Sequence, residues 1–124
     1  VQRNTRQRQA IKSVIERADR PLSPQEIHEA AAREAEGLGL ATVYRTIKGL
    51  VEAGELTPVD VPGEPPRYEP GGKDHHHHFH CTRCGRVFEV EDCPGRLRDL
   101  APPGFRVEGH HLTLYGVCAE CAGA

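Results

Sequence analysis

Over its first half the chain repeats one hydrophobic pattern at helical spacing. Between residues 5 and 18, Ile11, Val14, Ile15 and Ala18 fall at i, i+3, i+4 and i+7, the stripe of an amphipathic helix. The pattern stops near Arg20-Pro21. Ser23-Pro24-Gln25-Glu26 then signals a second helix in three ways: Ser23 can cap, Pro24 suits the first helical position, and Glu26 can close a capping box. With Ile27, Ala30 and Ala31 inward, this helix is expected to reach about Glu36, where Gly37 and Gly39 break it. A third stripe of Val43, Ile47, Leu50 and Val51 predicts a helix from about Ala41 to Ala53, ended by Gly54. The runs Glu55 to Val59 and Arg67 to Glu69 follow as strand-like segments.

Three short helices and two strands in this order read as a winged helix-turn-helix. In that arrangement the start of the third helix faces bases in the major groove. Arg45 can make a bidentate contact to guanine, Tyr44 can meet a thymine methyl or a phosphate, and Thr42 suits a phosphate oxygen. The same spacing also fits a generic three-helix core in which Tyr44 is a packed aromatic.

Composition narrows the picture. The chain has 124 residues, 37% hydrophobic and 5% aromatic, with no Trp or Met, so each half is near the lower limit for a self-supporting core. A structural metal or a dimer interface would supplement such a core. The net charge of -2 rules out a basic patch over the whole chain. Charge is instead uneven: Arg3, Arg6, Arg8, Lys12, Arg17 and Arg20 face only Glu16 and Asp19, so the first twenty residues carry six positive and two negative charges, a net of +4. That suits a phosphate-contacting face, or simply a solvated helix. No run of eighteen apolar residues and no charged-then-apolar leader occurs, so a cytoplasmic protein without a membrane span is expected.

The chemistry is concentrated in His75-His76-His77-His78-Phe79-His80-Cys81-Thr82-Arg83-Cys84, five histidines and two cysteines in ten residues. Cys81-x-x-Cys84 and Cys118-x-x-Cys121 supply four thiolates, the closed tetrahedral set of a structural zinc. A redox pair or two disulfides are the competing readings. On a strand, period-two alternation sends His75 and His77 to one face and His76, His78 and His80 to the other, so one run can feed two metal sites. Glu69 and Glu89 are candidate partners of the even set. A zinc hydrolase would need an open coordination position and a general base, but no His-Glu-x-x-His or deaminase pattern is present. A non-enzymatic role is expected.

Three motifs in order carry a family likeness. Gly39-Leu40-Ala41-Thr42-Val43-Tyr44-Arg45-Thr46-Ile47, the run from Asp74 to Gly85, and Leu112-Thr113-Leu114-Tyr115-Gly116-Val117-Cys118-Ala119-Glu120-Cys121 closely resemble the signatures of the Fur superfamily of metal-dependent repressors. Thr5-Arg6-Gln7-Arg8 is similar to the family's first helix, where an Arg contacts the DNA backbone; Arg6 and Arg8 are the candidates here. The resemblance implies an α+β homodimer on a palindromic double-stranded operator. Residues 1–70 would form the winged helix, and 71–124 an α/β dimerisation domain with the structural zinc, joined by the hinge Pro70-Gly71-Gly72.

The resemblance also sorts the histidines. Glu69, His76, His78 and Glu89 match the family's regulatory site, while a further histidine common in the family aligns with Pro21. His75, His77 and His110 match a second site. Its usual carboxylate aligns poorly, Arg96 falls near it, and Cys93 is either the replacement ligand or a small buried residue. His77 stands where iron-responsive relatives often have Asp, and imidazole and thiolate ligands favour Zn(II) over Fe(II) or Mn(II). The expectation is therefore a zinc uptake repressor, with an iron or manganese regulator next and a peroxide sensor after those.

Overall fold

A computed structural model describes residues 2–61, 63–72, 76–93 and 96–123, with the side chains of residues 2–4 excepted. The chain divides into two compact units, Val1–Lys73 and Asp74–Ala124; the sequence had placed the division at 70–71.

In the first unit, helices α1 (Gln2–Arg17), α2 (Pro24–Ala31) and α3 (Leu40–Glu52) precede an antiparallel hairpin of β1 (Leu56–Val59) and β2 (Arg67–Pro70). The stripes read from the sequence form its core. Ile11, Ile15, Ile27, Val43 and Leu50 are fully buried, and each such side chain contributes roughly 1.5–3 kcal/mol relative to exposure. Leu22 joins the hairpin through reciprocal backbone bonds with Tyr68, at 2.9 and 2.8 Å. The result is a helix-turn-helix backed by a wing.

One helix boundary differs from the expectation. The second helix ends at Ala31, five residues before the expected Glu36. Beyond it the Glu34 amide bonds three residues back to Ala31 and the helix tightens into turns, which still bury Ala35 and Leu38. Gly37, at φ 75°, then reverses the chain into α3. Gly71 answers a different need. Its amide bonds the Glu55 carbonyl at 2.9 Å, and a Cβ there would sit 2.5 Å from the Gly54 carbonyl oxygen, so no larger residue fits.

The second unit contains β3 (His77–Cys81), β4 (Val87–Val90), a single 3-10 turn (Leu97–Leu100), β5 (Thr113–Gly116) and the short helix α4 (Ala119–Ala122). The sheet order is β4-β3-β5, with β4 antiparallel and β5 parallel to β3. Its buried side chains differ in kind from those of the first unit. Among the described residues they are His77, His80, Cys81, Val87 and Cys118, so the interior consists mostly of potential ligands.

The capping box at Ser23 is complete: Ser23 Oγ accepts from the Glu26 amide at 3.1 Å, and a Glu26 carboxylate oxygen accepts from the Ser23 amide at 2.9 Å. Arg20 and Arg67 donate to the same carboxylate at 2.8 and 3.3 Å, tying the wing to α2. Burial pushes the Glu26 carboxyl up, but the Ser23 amide and the Arg20 guanidinium outweigh it and hold the group below its ordinary 4.5. Ser23→Ala is expected to cost about 1 kcal/mol in a denaturant melt. Because the folded pKa of Glu26 is depressed, its contribution is present above about pH 4.5 and is lost as pH falls through the folded value. The stability difference between wild type and Glu26→Gln should therefore shrink on acidification; a gap that widens in acid contradicts the network.

Candidate metal centres and DNA-reading face

The parallel pairing of β3 with β5 assembles the four cysteines. It sets Cys81 opposite Gly116, and the Thr82 amide bonds the Gly116 carbonyl at 2.7 Å. Cys81-Thr82-Arg83-Cys84 leaves β3 as a knuckle closed by the Gly85 amide on the Cys81 carbonyl at 2.9 Å, with Gly85 at φ 76°. Cys118 caps α4 and Cys121 lies within it. All four Sγ atoms lie within 4.8 Å of one another, and Cys84 Sγ is 3.9 Å from Cys118 Sγ. A tetrahedral zinc with sulfur at 2.3 Å needs sulfur atoms about 3.8 Å apart. All four are free thiols.

The surroundings of the set favour a metal-bound thiolate. The backbone amides of Cys84 and Cys118 reach Cys81 Sγ at 3.5 and 3.3 Å and bring its pKa down to about 5. A hydrogen bond with Cys118, then burial, pushes Cys121 up to about 12. Without a cation the set therefore shares protons, and metal entry must displace them.

A second set forms around His77, four residues before Cys81 on β3. His77 Nε2 is 3.3 Å from Cys93 Sγ, Cys93 Sγ is 3.2 Å from His110 Nε2, and the two imidazole nitrogens are 3.1 Å apart. The imidazoles stack with centroids 4.8 Å apart at 30°. His77 is 1% exposed, on β3, whereas Cys93 and His110 come from irregular segments. His110 precedes β5, which starts only at Thr113. Three donor atoms at 3.1–3.3 Å form nearly one face of a zinc tetrahedron. His75, the other expected member, lies outside the described residues.

The even-numbered histidines point away from this set. His76 and His78 meet edge to face with ring centroids 4.9 Å apart, and His78 pairs with Glu89 across the β3–β4 hairpin. A Glu89 carboxylate oxygen stands 4.0 Å from His76 Nε2. Glu69, the remaining expected ligand, is on β2 of the first unit.

On the helix-turn-helix, Tyr44 is 47% exposed and so is not a packed core aromatic; its hydroxyl accepts from Gln25 Nε2 at 3.3 Å. Arg45 is exposed beside it and donates to Thr42 Oγ1 at 3.0 Å, which aligns its guanidinium along the first turns of α3. Arg6 and Arg8 are exposed on α1. Sequence reasoning missed one participant, Glu55. Lys12 donates to the Glu55 carboxylate at 2.5 Å, and Arg8 lies 3.7 Å from it. The i, i+4 spacing of Arg8 and Lys12 was a visible signal; the approach of Glu55 was not.

Two measurements test the centres. Cys118→Ser should remove one tightly held zinc and lower the melting temperature of the second unit; retention of that zinc with unchanged melting would exclude the four-cysteine site. Cobalt added to protein already carrying one zinc should give a near-ultraviolet sulfur-to-cobalt band that Cys93→Ala abolishes. A band indifferent to this substitution removes Cys93 from the ligands.

Comparison with known proteins follows the same lines. Residues 2–115 match the ferric uptake regulator family. The chain is 34% identical over 124 residues to the ferric uptake regulation protein of Campylobacter jejuni, covering 94% of this chain and 78% of the relative. It is also 34% identical over 122 residues to the zinc uptake regulation protein of Mycobacterium tuberculosis, covering 96% and 94%. Among solved structures, the Helicobacter pylori ferric uptake regulator Fur, whose structure reveals three functional metal binding sites, superposes with a TM-score of 0.74 at 26% identity, covering 94% of this chain and 79% of that one. The chain belongs to the ferric uptake regulator family: it is a metal-responsive, DNA-binding transcriptional regulator rather than an enzyme, with an N-terminal winged-helix domain and a C-terminal dimerisation domain.

Proposed function

We propose that the protein is a zinc-responsive repressor of zinc-uptake genes, acting in the cytoplasm as a homodimer on a palindromic operator. The observation that carries the zinc assignment is the thiol of Cys93, 3.3 and 3.2 Å from the imidazole nitrogens of His77 and His110. Two imidazoles and a thiolate are a borderline-soft set; Fe(II) and Mn(II) compete better where carboxylates dominate. The Mycobacterium tuberculosis relative, named for zinc uptake, matches nearly its whole length, which supports the same assignment. The equal identity to the Campylobacter ferric regulator keeps an iron or manganese regulator as the second reading.

In this proposal Glu69, His76, His78 and Glu89 form the regulatory site and His77, Cys93 and His110, with His75, the second. Cys81, Cys84, Cys118 and Cys121 hold the structural zinc. Glu69 belongs to the first unit and the histidines to the second, so a shared cation restricts the linker between them. Bound metal then favours one presentation of the two recognition helices, with half-sites about 34–36 Å apart or a multiple of that. Metal shifts this equilibrium only by its preference for the DNA-competent state, a coupling of about 1–3 kcal/mol. Arg45, Tyr44 and Thr42 read the groove, and Arg6 and Arg8 contact phosphate.

Operator binding in buffered Zn(II), Fe(II) and Mn(II) tests this. Tightening of about 5- to 150-fold is expected with Zn(II) at its cellular availability. The variant carrying His76→Ala and His78→Ala should lose this response and keep the four-cysteine zinc. Equal affinity with and without metal would sink the switch, and a response confined to Fe(II) or Mn(II) would reassign the metal.

A further inference from the structure

Glu55 brings a negative charge to α1, a strongly basic helix. Its position is set by the backbone: Gly54, at φ 77°, ends α3, and the Glu55 amide bonds the Leu50 carbonyl at 2.9 Å. From there the carboxylate takes a hydrogen bond from Lys12 Nζ at 2.5 Å on one oxygen, and the other oxygen lies 3.7 Å from Arg8 Nη2. Arg8 and Lys12 are i and i+4 on α1, so both cations lie on one helical face with the carboxylate between them and α3. Glu16, a further turn along, is the other acidic charge acting on Lys12.

Fold stability does not account for the arrangement. The α1–α3 contact is already made by Ile11, Ile15 and Leu50, all fully buried. The charged side chains are open to water: Arg8 is 50% exposed, and Lys12 and Glu55 are 36% exposed each. Exposed pairs of this kind contribute little to stability, about 0–1 kcal/mol. They do change what the helix offers a polyanion. A lysine already matched by a carboxylate neutralises no phosphate, and a carboxylate beside an arginine repels the phosphate that arginine would take. The carboxylate and the ammonium hold each other charged: their hydrogen bond first, then their Coulomb attraction, raises Lys12 and lowers Glu55.

We propose that Glu55 is a built-in competitor of the DNA backbone, a carboxylate that occupies Lys12 and draws on Arg8 in the free protein and so weakens sequence-independent DNA binding. The proposal rests on the reading that α1 contacts phosphate through Arg8. Phosphate contacts supply essentially all non-specific binding, while base contacts supply discrimination. Trimming the first without touching Tyr44 or Arg45 lowers the affinity for every sequence by a common factor and leaves base discrimination to the recognition helix. The competitor is an acid, so its partner is phosphodiester of any sequence.

The test uses the full chain with bound zinc and a fluorescent mixed-sequence duplex of about 30 base pairs, titrated by anisotropy between about 50 and 200 mM salt. Glu55→Gln should bind about two- to fivefold tighter at low salt. Its plot of log K against log salt should steepen by about 0.9, one more phosphate neutralised. Lys12→Gln alone leaves the carboxylate unmatched beside Arg8 and should bind no tighter than wild type, and Lys12→Gln combined with Glu55→Gln should lose the part of the gain that Lys12 supplies. Melting temperatures of all variants report folding. Wild-type affinity and slope in Glu55→Gln, or weaker binding by a variant that melts like wild type, overturns the role of Glu55. If Arg8→Gln also binds like wild type, the assignment of α1 to phosphate fails with it. Weakened binding by Arg8→Gln beside an indifferent Glu55→Gln overturns the competitor alone.

Discussion

The parallel pairing of β3 with β5 is the constraint on which the second unit depends. It brings Cys118 and Cys121 to Cys81 and Cys84, segments separated by more than thirty residues of chain. A three-stranded sheet with one small helix buries too little apolar surface to offset its conformational entropy. Here the interior is built from His77, His80, Cys81 and Cys118, with Val87 the one buried aliphatic among the described residues. Burying polar ligands is unfavourable unless they are bonded. A closed zinc site inverts that cost, because apparent metal-binding free energies of about 10–16 kcal/mol become folding free energy. The family's dimerisation domain thus has a physical reason to be a metalloprotein before any regulation is considered.

The first unit is stabilised by different means. Its apolar cluster runs from Ala10 to Leu56 without a ligand among its members, and its polar reinforcement is the Ser23–Glu26 box with Arg20 and Arg67. The DNA-reading surface is therefore a product of ordinary hydrophobic burial. The four-cysteine set and the core that holds the recognition helix belong to separate units, so each can form by its own means.

How much of this was legible in the sequence depended on how local each signal was. The capping box lies within four residues, and Ser23-Pro24-Gln25-Glu26 specified the start of α2 correctly. The apolar stripes specified the core of the first unit for the same reason: Ile11, Val14, Ile15, Val43, Ile47 and Leu50 are all buried. The end of α2 was misjudged because Arg33, Glu34, Ala35 and Glu36 are good helix formers, and only the requirement to reverse at Gly37 stops them. Strand alternation correctly separated His77 from His76 and His78, since a two-residue period is a backbone property. The approach of Cys93 to His77 and His110 joins three distant segments, two of them irregular, and no local pattern encodes it. Glu55 is similar: nothing in Gly54-Glu55-Leu56 says that α1 passes within hydrogen-bonding reach.

Cys93 also changes what the family pattern means in this chain. A carboxylate ligand is hard and tolerates many divalent cations; a thiolate beside two imidazoles narrows the choice by softness and geometry. His77 is fixed by β3 and almost fully buried, while Cys93 and His110 sit on irregular backbone. The strand thus supplies one donor of the set and the irregular segments the other two, apart from the β3–β5 pairing that carries the four cysteines. Cys81 is four residues from His77 on the same strand, yet its site is closed by a knuckle and a helix cap whose amides already reach Cys81 Sγ. Neighbouring positions of one strand thus enter two donor sets of different make-up, four thiols at one and two imidazoles with a thiol at the other.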